Sequence, residues 1–269
     1  MKQMSIGMYY LVDTYLHQLD ARVKVSATAI VMTLLFFLSN FWSFLLIFCS
    51  LLGVMIYARL PFRLFQGFRS LRFFLILTLL LSMFLVPGER ILFEWRAIYA
   101  TLEGVNVGLI LVIRIILMLF TTTILTMTTT SIELTNALAY LFSPLQKLRL
   151  PVAESALMIN LALRFVPTIM EEKDRIVDAQ KARGVNFEAT GISQKAKNLV
   201  PVIVPLILSS FKRADDLALA MEARCFKIER KRTSYRMMRM TRRDYITLLI
   251  MMLFFMAILA FEHKLMHII

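Results

Sequence analysis

AQKARG at positions 179–184 and AMEARC at 220–225 share one pattern, Ala-x-x-Ala-Arg followed by a small residue, set 41 residues apart. An arginine at such a place reaches from a helix end with a planar, permanently charged fork of N–H donors. Ala179 and Arg183 are four apart, as are Ala220 and Arg224, so each pair shares a helical face, and the alanines let another surface approach. Asp174 and Asp215 also repeat, each nine residues before its arginine. Nine residues turn a helix by about 900°, which points each aspartate away from its own arginine. Two readings stand side by side: last-turn arginines that favour the helix dipole, or a pair of docking forks. Two copies with the same neighbours point to a two-fold partner.

The elements that must carry these forks are set by the solvent. Of 269 residues, 59% are hydrophobic and only 18% charged, with mean hydropathy +0.70. Soluble domains run nearer 45–50% and about 25%, so an all-α integral membrane protein is expected. MKQMSIGMYYLVD lacks the apolar core of a cleaved leader. Cys49 and Cys225 lie far apart, without CxxC or Cys/His spacing, so neither a disulfide framework nor a metal is expected.

About 20 apolar helical residues cross a bilayer core. Residues 25–58 carry no charge, which is too long for one crossing, and Ser39-Asn40 breaks the run into a hairpin of two short spans. Further spans are read at 72–86, ending at Pro87-Gly88, at 104–125, interrupted by Arg114, and at 245–261, five in all. Lys2, Arg22 and Lys24 precede the first span and Arg59, Arg63, Arg69 and Arg72 lie between the second and third, whereas the loop between the third and fourth sets Arg90 and Arg96 against Glu89, Glu94 and Glu103. The positive-inside rule then puts the N-terminus and 131–243 in the cytoplasm and the C-terminus outside. The domain division is 1–130 for four spans, 131–243 for a cytoplasmic helical region, and 244–269 for the last span. Residues 131–243 hold 20 Lys and Arg against 11 Asp and Glu, +9 of the chain's net +13.

Within that region Thr130-Ser131-Ile132-Glu133 has the spacing of a capping box, opening a helix that stops before Pro144. Pro151 suits the first turn of a second helix that reads to Arg183, with Gly184 as its left-handed cap. A third runs from about Ser193 to Arg224, and each of the two is close to 50 Å long. Residues 155–163 and 198–211 are free of charge yet too short to span, so each helix has an apolar early part and a charged late part. Pro167, Pro201 and Pro205 are expected to kink them.

Several functions are disfavoured. There is no GxxxxGK[ST], so nothing here binds nucleotide as a P-loop does; no cofactor is expected. No acid lies within 25–58, 73–88 or 104–132, against an ion-coupled transporter. Arg114 reads as a contact to backbone carbonyls or a neighbouring helix rather than a gate. Thr121–Ser131 is hydroxyl-rich, and its side chains are expected to bond back to their own helix. Glu262, His263 and His267 read as a frayed tail rather than a metal site.

The residues resemble the EcfT family, the transmembrane T components of energy-coupling factor vitamin transporters, over nearly the whole chain. HQLDARVK at 17–24, the block LFSPLQKLRLPVAESALMINLALRFVPTIMEE at 141–172, and the paired Ala182-Arg183-Gly184 and Ala223-Arg224-Cys225 carry the likeness. Cys225 stands where the second signature has glycine, and Ala21 where proline is unsurprising. The resemblance implies a non-catalytic subunit of a bacterial importer, with about five transmembrane helices and long cytoplasmic coupling helices that cross. It implies two ABC ATPase subunits docked at Arg183 and Arg224, a small membrane S component that binds the vitamin, a lipid bilayer, and no nucleic acid. Rival readings are the permease of a conventional ABC importer, and a membrane-anchored binder of anionic lipid or nucleic acid. The second rests on eight positive charges within 227–243, a run that otherwise fixes topology.

Overall fold

The computed structural model describes residues 14–60, 66–87, 91–95, 98–148, 150–187, 191–227 and 240–266. Most of the basic run after Lys227, and His267, lie outside the described residues. The described chain is helical except for one antiparallel hairpin. It falls into two compact units, 1–140 with 238–269, and 141–237.

The first unit holds a short turn α1 (Tyr15–Gln18), then α2 (Ala21–Phe37), α3 (Phe41–Tyr57) and α4 (Gln66–Leu85). Strands β1 (Ile91–Trp95) and β2 (Ile98–Thr101) pair antiparallel with a register shift between Ile91 and Phe93. The long α5 (Leu102–Thr128), α6 (Ser131–Leu141) and α9 (Arg242–Met266) complete it. All five expected spans are helices here, and the charge-free run 25–58 is broken at Leu38–Asn40, as Ser39-Asn40 predicted. The β-hairpin had no counterpart in the sequence reading.

Among the described residues, three helical stretches are long and apolar enough to cross a membrane by length and composition alone: Leu102–Thr128, Val152–Ala182 and Arg242–Lys264. Phe41–Tyr57 and Leu71–Leu85 are shorter apolar helices. Val152–Ala182 lies in the stretch that the sequence reading put in the cytoplasm. An all-α membrane protein is what these helices make.

Apolar side chains of α2, α3, α5 and α9 form the core of this unit. Leu35, Leu38, Phe44, Leu117, Phe120 and Ile258 sit at its centre, each 2% exposed or less. On its flank, α4 meets α5 at two glycines spaced Gly-x-x-x-Gly. A Cβ on Gly104 would lie 2.7 Å from the Ser82 carbonyl oxygen, and one on Gly108 would lie 3.1 Å from the Ser82 Cβ. Small residues at this spacing let two helices touch backbone to backbone. The spacing GVNVG was visible in the sequence and went unread.

Polar groups then tie the helix ends. At the break, Arg114 of α5 donates to the Leu38 carbonyl at 2.8 Å, capping the end of α2. Arg114 therefore makes the backbone contact that the sequence suggested. Glu262 of α9 accepts from the Ser39 and Asn40 amides at 2.8 and 3.0 Å and from the Ser43 hydroxyl, capping the start of α3. Each charge has the sign that its helix end favours, cation at a C-terminus and anion at an N-terminus. The frayed-tail reading of Glu262 fails: α9 continues to Met266 and Glu262 is buried, because the broken hairpin needs an acceptor there.

At the opposite end of these helices, the block 17–24 forms a second knot. Asp20 caps α2 by accepting from the Arg22 amide, and its own amide donates to Asp244 of α9, both at 2.9 Å. Lys24 donates to the His17 carbonyl at 3.0 Å and to that of Thr128, at the end of α5, at 2.8 Å. The Arg22 guanidinium lies over the Tyr140 ring of α6, 3.5 Å from its centroid. The family-like block 17–24 is thus a fastener of four helices. The capping box is present as Thr130 Oγ1 with the Glu133 amide and Glu133 with the Thr130 amide. Hydroxyls of Thr121, Thr122, Thr123, Thr126 and Thr128 bond back one turn, as expected.

Replacing Glu262 with Ala leaves the part-buried Ser39 and Asn40 amides and the buried Ser43 hydroxyl without this acceptor. The expected loss is about 1.5–3 kcal/mol, as for a charged hydrogen bond, read as a lower unfolding midpoint of the detergent-purified chain. An unchanged midpoint would show that the cap carries no stability.

Candidate functional site

The second unit contains a 3₁₀ turn (Ser143–Leu148) and two long helices, α7 (Val152–Ala182) and α8 (Ile192–Ala223). Both begin and end within a residue or two of the sequence reading. Pro167, Pro201 and Pro205 all lie inside unbroken helix.

The two arginine ends are backbone duplicates. Arg183 closes α7 at φ −83°, ψ 2°, and Arg224 closes α8 at φ −89°, ψ 14°. The next residue is left-handed in both, Gly184 at φ +90° and Cys225 at φ +56°. The Gly184 amide donates to the Lys181 carbonyl at 2.9 Å and the Cys225 amide to that of Glu222 at 2.8 Å. One residue on, Val185 donates to Gln180 at 3.1 Å and Phe226 to Met221 at 3.0 Å. These paired bonds close a helix by the Schellman arrangement, which satisfies the last carbonyls without outside help. Cysteine at the second signature therefore keeps the cap geometry, at the steric cost of a Cβ in a left-handed backbone.

All six predicted residues, Ala182, Arg183, Gly184, Ala223, Arg224 and Cys225, are exposed. Among the described residues neither guanidinium has an ion-pair partner. Asp174 pairs instead with Lys173 at 2.8 Å, consistent with its turning away from Arg183. Because the backbone caps itself, neither arginine is consumed in finishing its helix. Each presents an exposed guanidinium on a self-closed helix end beside two alanines.

The two helices run antiparallel. The Asn198 side chain of α8 donates to the Asn186 carbonyl just past α7, and further along Arg213 of α8 lies 4.0 Å from Glu172 of α7. The hairpin thus carries its two arginine ends in opposite directions. The sequence reading missed Glu172 and Arg213, which only their offset from the two motifs could have singled out.

A family model described as the cobalt transport protein CbiQ matches residues 13–235. The energy-coupling factor transporter transmembrane protein EcfT of Ruminiclostridium cellulolyticum is 34% identical over 263 residues, 97% of this chain and 98% of that protein. Proteins of the same name from Listeria innocua and Macrococcus caseolyticus are 38% identical over 240 residues and 39% over 235. These cover 89% and 87% of this chain, and 91% and 89% of those proteins. Helices fit for a membrane and matches of this extent define a transmembrane component of a transporter. More particularly, the chain belongs to the CbiQ/EcfT family.

Glycine at position 225 relieves the left-handed strain, and alanine at 184 introduces it. Cys225→Gly is expected to slow hydrogen exchange of the Phe226 amide, and Gly184→Ala to speed that of Val185, each by roughly fivefold for about 1 kcal/mol. Equal rates in parent and variants would show that the left-handed caps are not under strain.

Proposed function

We propose that the chain is the energy-coupling subunit of an importer, joining two ABC ATPases to a separate membrane S component that captures a vitamin or other micronutrient. The observation that carries this is the duplication of one self-capped, exposed arginine end at opposite ends of one helical hairpin. A partner with two equivalent grooves fits it, and a pair of ATPase subunits is such a partner. Arg183 and Arg224 each dock into one subunit, with Ala182, Gly184, Ala223 and Cys225 allowing close approach. The names of the relatives support the energy-coupling role.

In this reading the N-terminus and 131–243 face the bacterial cytoplasm and the C-terminus faces outward. Loop charge supports that orientation. Val152–Ala182 is long and apolar enough to cross a membrane, but its charges gather in the half that leads to Arg183. Its apolar half, with that of α8, supplies the surface on which the S component rides. Ile203, Leu208 and Phe211 of α8 are exposed and apolar, in keeping with such a surface.

Mechanically, ATP binding closes the ATPase pair and moves the two docked ends relative to each other. Long helices carry the change to their apolar parts. Each arginine must bind its subunit differently in the two states, since a ligand shifts an equilibrium only by its differential affinity. The conventional ABC permease has less support, because no acid lies in the apolar stretches 25–58, 73–88 and 104–132 to help line a polar substrate path.

Affinity purification from mild detergent tests the reading. The parent chain is expected to bring down two P-loop ATPases, and Arg183→Glu/Arg224→Glu to lose them and to abolish ATP-driven uptake. Retention of both ATPases by the double variant would make the arginines simple helix ends.

A further inference from the structure

The 41-residue repeat reaches beyond the arginine motifs. At the same offset, Glu171-Glu172 of α7 falls on Lys212-Arg213 of α8. The motifs repeat the same residues, whereas these positions repeat with opposite charge. Glu172 and Arg213 are also the pair that meets across the hairpin, Oε2 to Nη2 at 4.0 Å, each side chain about one-third exposed (31% and 30%).

Their place is special. Glu172 precedes Arg183 by 11 residues, and Arg213 precedes Arg224 by 11. In an antiparallel pair those two paths lead in opposite directions. The contact therefore lies midway between the motifs, with about 16 Å of helix on each side at 1.5 Å per residue. A two-fold axis through it exchanges the two arginine ends. Equivalent positions face each other at such an axis, so an identical charge in both copies would repel. The sequence puts acid in one copy and base in the other.

We propose that Glu172 and Arg213 are positioning residues, whose contact sets where α7 and α8 meet and so sets the span between Arg183 and Arg224. That the span serves two ATPases rests on the function proposed above. An ion pair this exposed adds little to stability, so it decides register between alignments that apolar packing leaves nearly equal in energy. Sliding one helix by a single turn changes the span by about 5.4 Å, more than a docked arginine tolerates. Opposite charges disfavour that slip, and like charges drive it.

The test is a charge swap in the full chain, alone and with its co-purified partners. Spin labels at Lys181→Cys and Glu222→Cys, in a Cys49→Ser/Cys225→Gly background, report the span by pulsed EPR. ATP hydrolysed per substrate imported is measured on unlabelled chains that keep the native cysteines. Glu172→Arg and Arg213→Glu are each expected to shift or broaden the distance by roughly one turn, ~5 Å, and to raise the ATP used per import. Glu172→Arg/Arg213→Glu together should restore both values. A double variant no better than the singles, or singles with the parent's distance, overturns the proposal. A shifted distance at unchanged ATP use overturns the link between span and coupling. Absence of ATPases from the parent preparation defeats the proposed function, while the distances in the chain alone still decide whether this contact sets the span.

Discussion

Shielded from water, a backbone N–H or C=O without a partner costs several kcal/mol, so a helix end among apolar side chains needs one supplied. The break at Leu38–Asn40 confronts that constraint. Two consecutive helices end and begin among apolar side chains, leaving carbonyls on one and amides on the other. The chain answers with one cation and one anion from elsewhere: Arg114 reaches the Leu38 carbonyl, and Glu262 takes the Ser39 and Asn40 amides. These partners lie 76 and more than 220 residues from the break. The break therefore specifies the packing of α5 and α9 against the α2–α3 hairpin. The knot around Asp20, Lys24 and Asp244 does the same for the opposite helix ends. Between the two, apolar packing needs only shape.

Unit two solves helix ends the other way. Where the first unit spends Arg114, Glu262 and Lys24 on closing helices, α7 and α8 close themselves with a left-handed residue and two backbone bonds. That choice has a functional consequence. An arginine that caps a carbonyl is engaged, whereas one that follows a self-closed helix is free. The same residue type is structural at Arg114 and available at Arg183 and Arg224, and the difference lies in who satisfies the local backbone. Cysteine at 225 is compatible with this because a left-handed cap demands only a tolerable Cβ, not its absence.

Much of this was legible from residues alone. Charge-free length located the helices, Ser39-Asn40 located the break, and the proline, capping-box and glycine signals bounded α6, α7 and α8 to within a residue or two. Each of these signals is local: it acts on residues within about a turn of itself, so neighbours in sequence carry all the information. The repeated Ala-x-x-Ala-Arg was legible for the same reason, as was the outward turn of Asp174.

Other features belong to the tertiary structure because their partners are distant in the chain. Glu262 read as part of a loose tail, since nothing near it in sequence reveals two amides waiting more than 220 residues away. HQLDARVK was recognisable as a block but not as a fastener, because Asp244, Thr128 and Tyr140 arrive only through packing. Glu172 and Arg213 looked like members of ordinary charged helix faces until the hairpin brought them together. The sequence by itself determined the solvent, the helices and the placing of two like arginines at helix ends, all written in short-range pattern. Only the folded chain decided which charges close a backbone, which pair across helices, and which stay exposed, because each choice depends on geometry between segments that share no sequence neighbourhood.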